Sequence, residues 1–364
     1  MRIVKVPLGD RSYRIRIGEN LLQGLGAECR RLGLGRSCVI ITDDNVGPLY
    51  ASQTEWSLQD SGFSCCRISI KAGEKSKNLR LVHQCYDQLA GFKLERNSFV
   101  LALGGGVVGD LAGFVAATFL RGIDFVQVPT SLLAQVDSSV GGKVGVNLKS
   151  GKNLVGAFHQ PRLVLCDLDT LQTLPEREFR SGLAEVIKYG IIYDRRFFTN
   201  LEKLMDPILA KSPETLSRII ARSCAIKANV VTQDERETGL RAILNYGHTI
   251  GHGLEAISGY GKYLHGEAIS IGQVATSLLS VAHSGLAPKE CDRIRQLFVM
   301  AGLPVGVRLN ASQKKALNQA MSLDKKVRKG EIRFVLAKRI GEVCVDQSLP
   351  QSSLDSVLKQ IAAF

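Results

Sequence analysis

Short apolar segments alternate with helix-like segments through the first half of this chain, and that alternation constrains the fold more than any other feature. The apolar segments occupy residues 37–42, 66–70, 99–103, 123–128 and 163–166. Continuous apolar strands separated by helices are typical of a largely parallel sheet that is covered on both faces. An opening β-hairpin is also predicted, because residues 2–6 and 12–17 flank a turn at Leu8-Gly9-Asp10.

The pattern changes near residue 176, where helical periodicity replaces the alternation. Helices are predicted at residues 178–189, 213–234, 240–257, 267–283 and 288–301, with a hairpin at 331–345. The sequence therefore predicts two domains, of α/β and all-α class. The N-terminal domain, 1–176, has a mostly parallel sheet, and the C-terminal domain, 177–364, is mainly helical.

The composition is that of a soluble globular protein, with 45% hydrophobic and 22% charged residues. No segment approaches the roughly 18 apolar residues of a membrane span, and the N-terminus lacks the apolar stretch of a signal peptide. The nine cysteines are scattered without a CxxC pair. The cysteine pattern indicates reduced thiols in a cytoplasmic protein. Because no apolar span was found, we expect no membrane partner.

The net charge of +13 is compatible with a solvated basic surface, with nucleic-acid binding or with a small anionic substrate. The basic residues are spread along the chain and are densest from residue 325 to 339. No zinc-finger spacing or RNA-binding signature accompanies them. We therefore expect a small phosphorylated substrate and no nucleic-acid partner.

A glycine-rich turn between a strand and a helix, at residues 104–110, is the first candidate binding element. Glycines here let backbone N–H groups approach a pyrophosphate, and the helix N-terminus favours its negative charge. The segment is not the GxGxxG fingerprint, so by itself it does not establish that this turn binds a nucleotide. Asp43 and Glu74 follow other strands of the sheet, where they either hold ribose hydroxyls or cap the next helix.

Residues 136–153 form a second candidate element, which is polar, rich in glycine and bears Lys143, Lys149 and Lys152. A solvated loop is the default interpretation of such a segment. Glycine turns with spaced lysines also suit a clamp for an anion, and both interpretations stay open.

A stretch with two of the six histidines offers a metal site. Arg241, Asn245, His248 and His252 are spaced by four, three and four residues, which predicts one face of a single helix over 240–257. Three glycines interleave with them, and each costs about 1 kcal/mol relative to alanine in a helix. We therefore expect close backbone approach along this helix.

A third histidine, His265, follows in a loop-like segment, and Glu185 lies three residues before Lys188 on another predicted helix. One interpretation is that Glu185 and Lys188 form a surface ion pair. The other is that Glu185 supplies the oxygen ligand of a His/His/Glu zinc site with one open position. His248 and His252 are the first choice of histidines by analogy with HExxH helices, although the residue after His248 is not glutamate. The residues alone do not decide which two histidines bind.

Six ordered motifs together resemble the 3-dehydroquinate synthase family over nearly the whole chain. They are the segments 104–110, 129–143, 151–158, 182–188, 245–252 and 265–267. The resemblance implies a Rossmann-like NAD-binding domain, a helical zinc-binding domain and a homodimer. The implied activity converts 3-deoxy-D-arabino-heptulosonate 7-phosphate to 3-dehydroquinate and phosphate, in the shikimate pathway of aromatic amino acid biosynthesis. Its implied steps are transient oxidation by NAD, phosphate elimination, re-reduction, ring opening and aldol closure.

The resemblance also implies roles for individual residues through the matching motif positions. The implied zinc ligands are Glu185, His248 and His265, with Co²⁺ as an alternative metal, while His252 faces the substrate. Arg121 would reach the substrate phosphate of the neighbouring subunit. The other implied substrate-binding residues are Asp137, Lys143, Lys152, Asn153, Lys188, Lys227, Arg241, Asn245 and either Lys325 or Lys326.

The family's NAD contacts match a further set of positions in the first half of the chain. Ser131 stands where many family members have threonine, which keeps the hydroxyl, and Ala72 stands where aspartate is common. The implied NAD contacts are Asp43, Asn45, Glu74, Lys77, Gly105, Gly106, Asp110, Thr130, Ser131, Lys143, Lys152 and Thr173.

Two other classes of enzyme share parts of this pattern. Another sugar phosphate cyclase, such as a 2-deoxy-scyllo-inosose or valiolone-type synthase, would share the NAD and zinc motifs but differ in the substrate pocket. Here Lys227, Arg241, Asn245 and the segment Asp324-Lys325-Lys326 keep the pattern of the 3-dehydroquinate synthase family, as a carboxylate-bearing substrate requires. A related metal-dependent polyol dehydrogenase would release NADH in bulk, whereas a cyclase would not.

Overall fold

The computed structural model describes residues 1–259, 262–322 and 332–364, and the chain divides into two compact units. The first unit comprises Met1–Leu174 and Pro213–Arg236, and the second comprises Pro175–Ser212 and Glu237–Phe364. The division after Leu174 stands close to the predicted boundary after residue 176. The assignment of residues 213–236 to the helical domain is wrong, because that segment packs within the first unit.

A mostly parallel sheet forms the centre of the first unit. The strands of this unit are β1 (Arg2–Val6), β2 (Tyr13–Gly18), β3 (Ser37–Asp43), β4 (Ser64–Ile70), β5 (Phe99–Gly104), β6 (Asp124–Pro129), β7 (Lys143–Leu148), β8 (Gly151–Phe158) and β9 (Leu163–Asp167). Within the described residues the main sheet has seven strands in the order β1-β2-β9-β6-β5-β3-β4. β1 and β2 pair antiparallel and the other neighbours pair parallel. The predicted hairpin and parallel strands are confirmed.

Both faces of this sheet are buried under helices. Side chains alternate along β3, so that Val39 and Ile41 enter one hydrophobic core while Cys38 and Ile40 enter the other. Burial on both faces explains why each central strand is a continuous apolar run. The covering helices are α1 (Leu25–Arg31), α2 (Gly47–Asp60), α3 (Leu79–Gly91) and α4 (Gly106–Thr118).

β7 and β8 form a separate antiparallel hairpin. The interpretation of residues 136–153 as a solvated loop is wrong over these two strands. Val144 and Val146 are buried, and Val155 and Ala157 pack against the same core. Polar residues and glycines alternate with these apolar side chains, which hides the strand period in a sequence that is polar on average.

The second unit is mainly helical. The α-helices and strands described after residue 175 are α5 (Glu176–Ile192), α6 (Arg195–Leu209), α7 (Pro213–Gln233), α8 (His248–Ile257), α9 (His265–His283), α10 (Pro288–Met300), α11 (Ala311–Ser322), β10 (Arg333–Arg339), β11 (Glu342–Ser348) and α12 (Gln351–Gln360). α9 lies at the centre of the second unit, is buried over most of its length, and packs against α5, α8, α10 and α12. The predicted hairpin near the end of the chain is confirmed, whereas α6, α11 and α12 were not predicted.

Helix α7 belongs to the first unit, which explains the corrected domain assignment. It packs against β1 and β2 and buries Leu216, Ile219 and Ile220 along one face. A helical period in the sequence shows that a face is buried, but not which partner covers it.

In the part of the chain that the structure describes, no helix combines the length and apolar character of a membrane span.

Candidate functional site

The histidine stretch is broken by a turn. Leu240–Asn245 is a 3-10 helix, Gly247 has a left-handed φ of 78°, and α8 begins at His248. The prediction that the four polar residues of this stretch share one helix face is therefore wrong. A Cβ on Gly247 would lie 2.4 Å from Gln273 Cγ, so glycine permits both the turn and the close approach of α9.

Three side chains from three helices converge at the start of α8. Glu185 of α5 has a fully buried side chain, and its Oε1 lies 3.5 Å from His248 Nε2 and 3.7 Å from His265 Nε2. Each of the three residues offers one ligand atom, and these atoms lie within 4.8 Å of one another. The structure thus brings together the three residues that the family resemblance implied, and it places each histidine at the first position of its helix.

The group Glu185, His248 and His265 has a geometry that suits a tetrahedrally coordinated cation. Zinc bonds of about 2.0–2.2 Å place neighbouring tetrahedral ligands about 3.3–3.6 Å apart, close to the observed separations of 3.5 and 3.7 Å. Glu185 Oε1 is buried and accepts no hydrogen bond from any described residue, which is costly for a carboxylate unless a cation neutralises it. Glu185 Oε2 lies against the ammonium group of Lys188.

A hydrogen bond at Nδ1 orients each of the two histidines. His248 Nδ1 lies 3.1 Å from the carbonyl oxygen of Tyr246, and His265 Nδ1 lies 3.3 Å from Glu255 Oε2. An acceptor at Nδ1 keeps the proton there and leaves the Nε2 lone pair for a metal. Both Nε2 atoms therefore face Glu185, and a metal that binds there displaces any proton that they carry.

Glu255 is a site residue that was not predicted from the sequence. It lies three residues after His252 and seven after His248 on α8, a spacing that shares one helix face and could have indicated it. With His252 and His265 it forms a second group whose ligand atoms lie within 4.8 Å. Burial lowers the pKa of His265, but the carboxylates of Glu185 and Glu255 outweigh this effect and raise it to about 10.

Other predicted substrate residues lie in the same unit. The pair Glu185–Lys188 is buried, with Lys188 only 1% exposed, so the interpretation as a surface ion pair is wrong. Arg241 is also buried, and Asn245 Nδ2 donates to Glu237 Oε1 at 3.0 Å. The two remaining candidates, Lys325 and Lys326, lie outside the described residues.

In the first unit, the glycine-rich turn opens α4 as predicted. Gly105 is its N-cap. A Cβ on Gly104 would lie 2.6 Å from Val108 Cγ2, and one on Gly106 would lie 3.0 Å from Ser138 Oγ. Gly104 is therefore packed too closely for a larger residue, and Gly106 leaves little room for one. The first N–H groups of a helix have no partner within it, so this end can receive an anion.

Acidic residues follow the neighbouring strands. Asp43 Oδ1 accepts hydrogen bonds from the backbone N–H groups of Asn45 and Val46, at 3.0 and 2.9 Å, so it does stabilise the turn before α2. Glu74 accepts a hydrogen bond from Asn147 Nδ2 at 2.7 Å.

Three further predicted NAD contacts form hydrogen bonds in the first unit. Thr173 Oγ1 lies 2.6 Å from the hydroxyl of Tyr50. The backbone N–H of Thr130 donates to the carbonyl of Gly104 at 3.0 Å, while Ser131 Oγ accepts from the backbone N–H of Ala134 at 3.3 Å.

Lys77 and Asp110 form a buried ion pair, with Nζ 2.7 Å from Oδ2, and Glu74 lies 3.7 Å from the same ammonium. Burial lowers the pKa of Lys77, but the two carboxylates outweigh this effect and the net pKa is raised. Burial raises the pKa of Asp110, against the opposing effect of Lys77. Three of the predicted NAD contacts, Glu74, Lys77 and Asp110, thus form one charged cluster at the first turns of α4.

Lys227 of α7 meets the segment after β6. Its Nζ donates to Asp137 Oδ1 at 2.6 Å and to the Asp137 carbonyl at 2.7 Å. Lys143 begins β7, and Lys152 and Asn153 lie at the start of β8. These residues are the predicted anion-binding residues of the first unit.

Arg121 sits in a strained turn after α4. Leu120, Arg121 and Gly122 have consecutive positive φ values of 50°, 70° and 116°. Positive φ is uncommon for residues other than glycine, and it concentrates at functional positions. Arg121 is exposed.

Two family models match consecutive parts of the chain. The model described as 3-dehydroquinate synthase N-terminal matches residues 67–181, and the C-terminal model of the same enzyme matches residues 182–327. The chain belongs to the 3-dehydroquinate synthase family. It is accordingly an enzyme of this kind, a phosphate-eliminating cyclase.

Individual 3-dehydroquinate synthases are similar to this chain over nearly its full length. The 3-dehydroquinate synthase of Geobacter metallireducens is 51% identical over 94% of this chain and 94% of the relative. That of Synechococcus is 47% identical over 99% of this chain and 98% of the relative.

Solved structures of sugar phosphate cyclases share the fold. A 2-epi-5-epi-valiolone synthase from Streptomyces hygroscopicus with NAD⁺ and Zn²⁺ has a TM-score of 0.89 at 26% identity, covering 100% of this chain and 99% of that one. A 2-deoxy-scyllo-inosose synthase with carbaglucose-6-phosphate, NAD⁺ and Co²⁺ has a TM-score of 0.89 at 24% identity, covering 99% and 100%.

Proposed function

We propose that this chain catalyses the 3-dehydroquinate synthase reaction, which converts 3-deoxy-D-arabino-heptulosonate 7-phosphate to 3-dehydroquinate and inorganic phosphate. The observation that carries the proposal is the group Glu185, His248 and His265, because its donor set and separations suit a zinc ion with a position left for substrate oxygen. Membership of the family and the near full-length relatives of that name support the same reaction.

The first unit binds NAD in this proposal. Backbone N–H groups at the start of α4 receive the pyrophosphate, and the carboxylates of Asp43 and Glu74 accept hydrogen bonds from ribose hydroxyls. Asn45, Lys77, Gly105, Gly106, Asp110, Thr130, Ser131 and Thr173 complete the proposed contacts. When bound, NAD supplies a hydride acceptor that returns the hydride within the same turnover.

The second unit binds the metal through Glu185, His248 and His265, and zinc supplies a Lewis acid at a substrate oxygen. Co²⁺ accepts the same ligands. His252 is proposed to hold or move a proton at the substrate, because its ring centroid lies only 5.2 Å from that of His248 while the metal group is complete without it.

Basic residues neutralise the substrate. It carries a carboxylate and a phosphate, about three negative charges at neutral pH when the phosphate counts as about two. A buried guanidinium such as that of Arg241 suits bidentate binding of a carboxylate. The other proposed substrate residues are Asp137, Lys143, Lys152, Asn153, Lys188, Lys227, Asn245 and either Lys325 or Lys326.

A homodimer and a cytoplasmic location belong to the same proposal. The strained and exposed turn at Arg121 supports a role for this side chain toward a second subunit. All nine cysteines are free thiols, and all lie within the described residues. Free buried thiols are typical of proteins in a reducing compartment.

The first experiment measures phosphate release from the heptulosonate phosphate with zinc and a catalytic amount of NAD. Stoichiometric phosphate without net NADH, lost on chelation and restored by zinc, is the expected result. Accumulating NADH would indicate a polyol dehydrogenase instead. A folded, zinc-loaded protein that releases no phosphate would direct the search to the substrates of other sugar phosphate cyclases.

A second experiment separates the histidines. His248→Ala removes a proposed ligand and should abolish zinc retention after dialysis. His252→Ala should retain zinc and lose catalytic rate. Metal analysis of both purified variants decides the point, and a fully zinc-loaded His248→Ala protein would refute the ligand assignment.

A further inference from the structure

Asn147 of β7 contacts both sets of residues that the proposed function assigns to cofactor and substrate. It is absent from both sets. We infer that Asn147 is a positioning residue that couples NAD binding to substrate binding. The inference rests on the proposed function, since it takes Glu74 as an NAD contact and Asn153 as a substrate contact.

On the cofactor side, Asn147 holds the segment after β4. Its side-chain Nδ2 donates to Glu74 Oε1 at 2.7 Å, and its backbone N–H donates to the carbonyl of Lys77 at 2.9 Å. Asn147 also forms an isolated parallel bridge with Asn78. The carboxylate proposed to bind ribose is thus fixed by an amide from another strand.

On the substrate side, Asn147 holds the turn between β7 and β8. Its Oδ1 accepts a hydrogen bond from the backbone N–H of Asn153 at 2.9 Å. The pairing of β7 with β8 is regular as far as Val146 and shifts before Leu148, so Asn147 sits at the irregularity. Asn153 has a φ of +52°, a conformation of higher energy that requires support from its surroundings.

The chemistry of the amide makes both contacts depend on one orientation. Asparagine presents a donor on one side and an acceptor on the other, both uncharged. With Nδ2 toward Glu74, the oxygen necessarily faces Asn153. A ligand that fixes Glu74 therefore favours the held conformation of Asn153, and a ligand that fixes Asn153 favours the held Glu74, because coupling between two sites is reciprocal.

The coupling is measurable as a ratio of NAD dissociation constants. Calorimetric titration of the zinc-loaded protein with NAD, without and with saturating 3-dehydroquinate, gives this ratio directly. We expect at least about a fivefold tightening of NAD by 3-dehydroquinate in the native protein. In Asn147→Ala the ratio should fall to about one, and NAD alone should bind about tenfold more weakly, since a hydrogen bond to a charged group is lost.

Asn78→Ala is the matched control. Asn78 lies beside Lys77, and its side chain caps α3 through the backbone N–H of Leu81 and donates to the carbonyl of Lys75. It contacts the same segment without contacting Asn153. Asn78→Ala should weaken NAD binding but keep the native coupling ratio. If Asn78→Ala lost as much coupling as Asn147→Ala, the role of Asn147 would be structural and the inference would be wrong.

Asn147→Asp separates the two contacts. The variant keeps an oxygen for the N–H of Asn153 but places a carboxylate against Glu74. At pH 7.5, NAD should bind at least as weakly as to Asn147→Ala, whereas the KM for the heptulosonate phosphate at saturating NAD should stay within about twofold of the native value. Asn147→Ala should raise that KM about threefold to tenfold, the effect of one lost neutral hydrogen bond.

Several results would overturn the inference. A native ratio of one, or an Asn147→Ala protein that is folded by its melting curve and has native NAD affinity and coupling, would each do so. An equal rise in KM for both Asn147 variants would also contradict it. These outcomes differ from failure of the proposed function, in which the native protein releases no phosphate although NAD and 3-dehydroquinate binding are still measured.

Discussion

Glu255 is expected to set the metal affinity of the histidine group without being a ligand. It accepts the Nδ1 hydrogen of His265, and the Nε2 atom of the same ring faces Glu185. Replacing Glu255 with alanine leaves the imidazole without its acceptor, so the ring can rotate and change tautomer. The variant should therefore bind zinc more weakly while it keeps all three proposed ligands.

The structure sets the size of this loss. Mutation of a residue that orients a metal ligand typically costs 10- to 100-fold in metal affinity. The Nδ1–Oε2 separation of 3.3 Å is slightly longer than an ordinary hydrogen bond, which places the effect in the lower half of that range. The Glu255 side chain is only 8% exposed, so water replaces the lost acceptor poorly. We expect a loss of about 10- to 30-fold, equivalent to about 1.4 to 2 kcal/mol.

The assay is competition for zinc against a chromogenic chelator of known affinity. Glu255→Gln keeps an acceptor oxygen and should lose less than about fivefold. Glu202→Ala removes a carboxylate that accepts from Arg293 elsewhere in the same unit, and it should leave zinc affinity unchanged. A Glu255→Ala protein whose apo form keeps native thermal stability and which binds zinc with native affinity would refute the argument.

Three further predictions concern stability. Gly247→Ala places a Cβ against Gln273 at a left-handed position and should destabilise the protein by about 2 to 5 kcal/mol, read from its urea midpoint. Leu101→Ala, in a fully buried strand position, should cost about 2 to 5 kcal/mol; a loss below 1 kcal/mol by the same measurement would contradict the packing described. The hydrogen bond from Arg11 lowers the pKa of Glu235 below its ordinary 4.5. Its contribution, no more than about 1 kcal/mol, is present above pH 4.5 and lost as the pH falls through the lowered pKa, so the melting difference between native protein and Arg11→Ala should vanish in acid.

The sheet was predictable because both its faces are buried. A strand covered on both sides must be apolar at every position, and β3 and β5 are buried from their second residue or earlier to the end. The β7–β8 hairpin was not predictable in this way, since one face of β8 is exposed and glycines interrupt the alternation. Helix α7 was found, but its partner was not, because a helical period carries no information on what covers it.

The metal group was predictable only in part. Residue types and spacing pointed to histidines and a glutamate, yet spacing favoured His248 with His252, which lie on one helix. The structure instead brings His265 beside Glu185 and His248, because α8 and α9 pack closely. A Cβ on Gly251 would lie 2.6 Å from Ile269 Cδ1, and one on Gly272 would lie 2.2 Å from the Gly247 carbonyl. The expected close backbone approach is confirmed, but it joins two helices, which no periodicity along one of them could reveal.

The packing of α8 on α9 also determines which ligand the proposed metal site favours. His248 and His265 are each the first residue of a helix, and a helix N-terminus carries about half a positive charge. Two such ends and a divalent cation outweigh the charges of Glu185 and Glu255, so the group with its metal stays positive by about one charge. Lys188 adds a further buried cation beside Glu185. A buried centre with this excess binds an anionic oxygen better than a neutral one, which is the physical reason to expect an acidic sugar phosphate there rather than a neutral polyol.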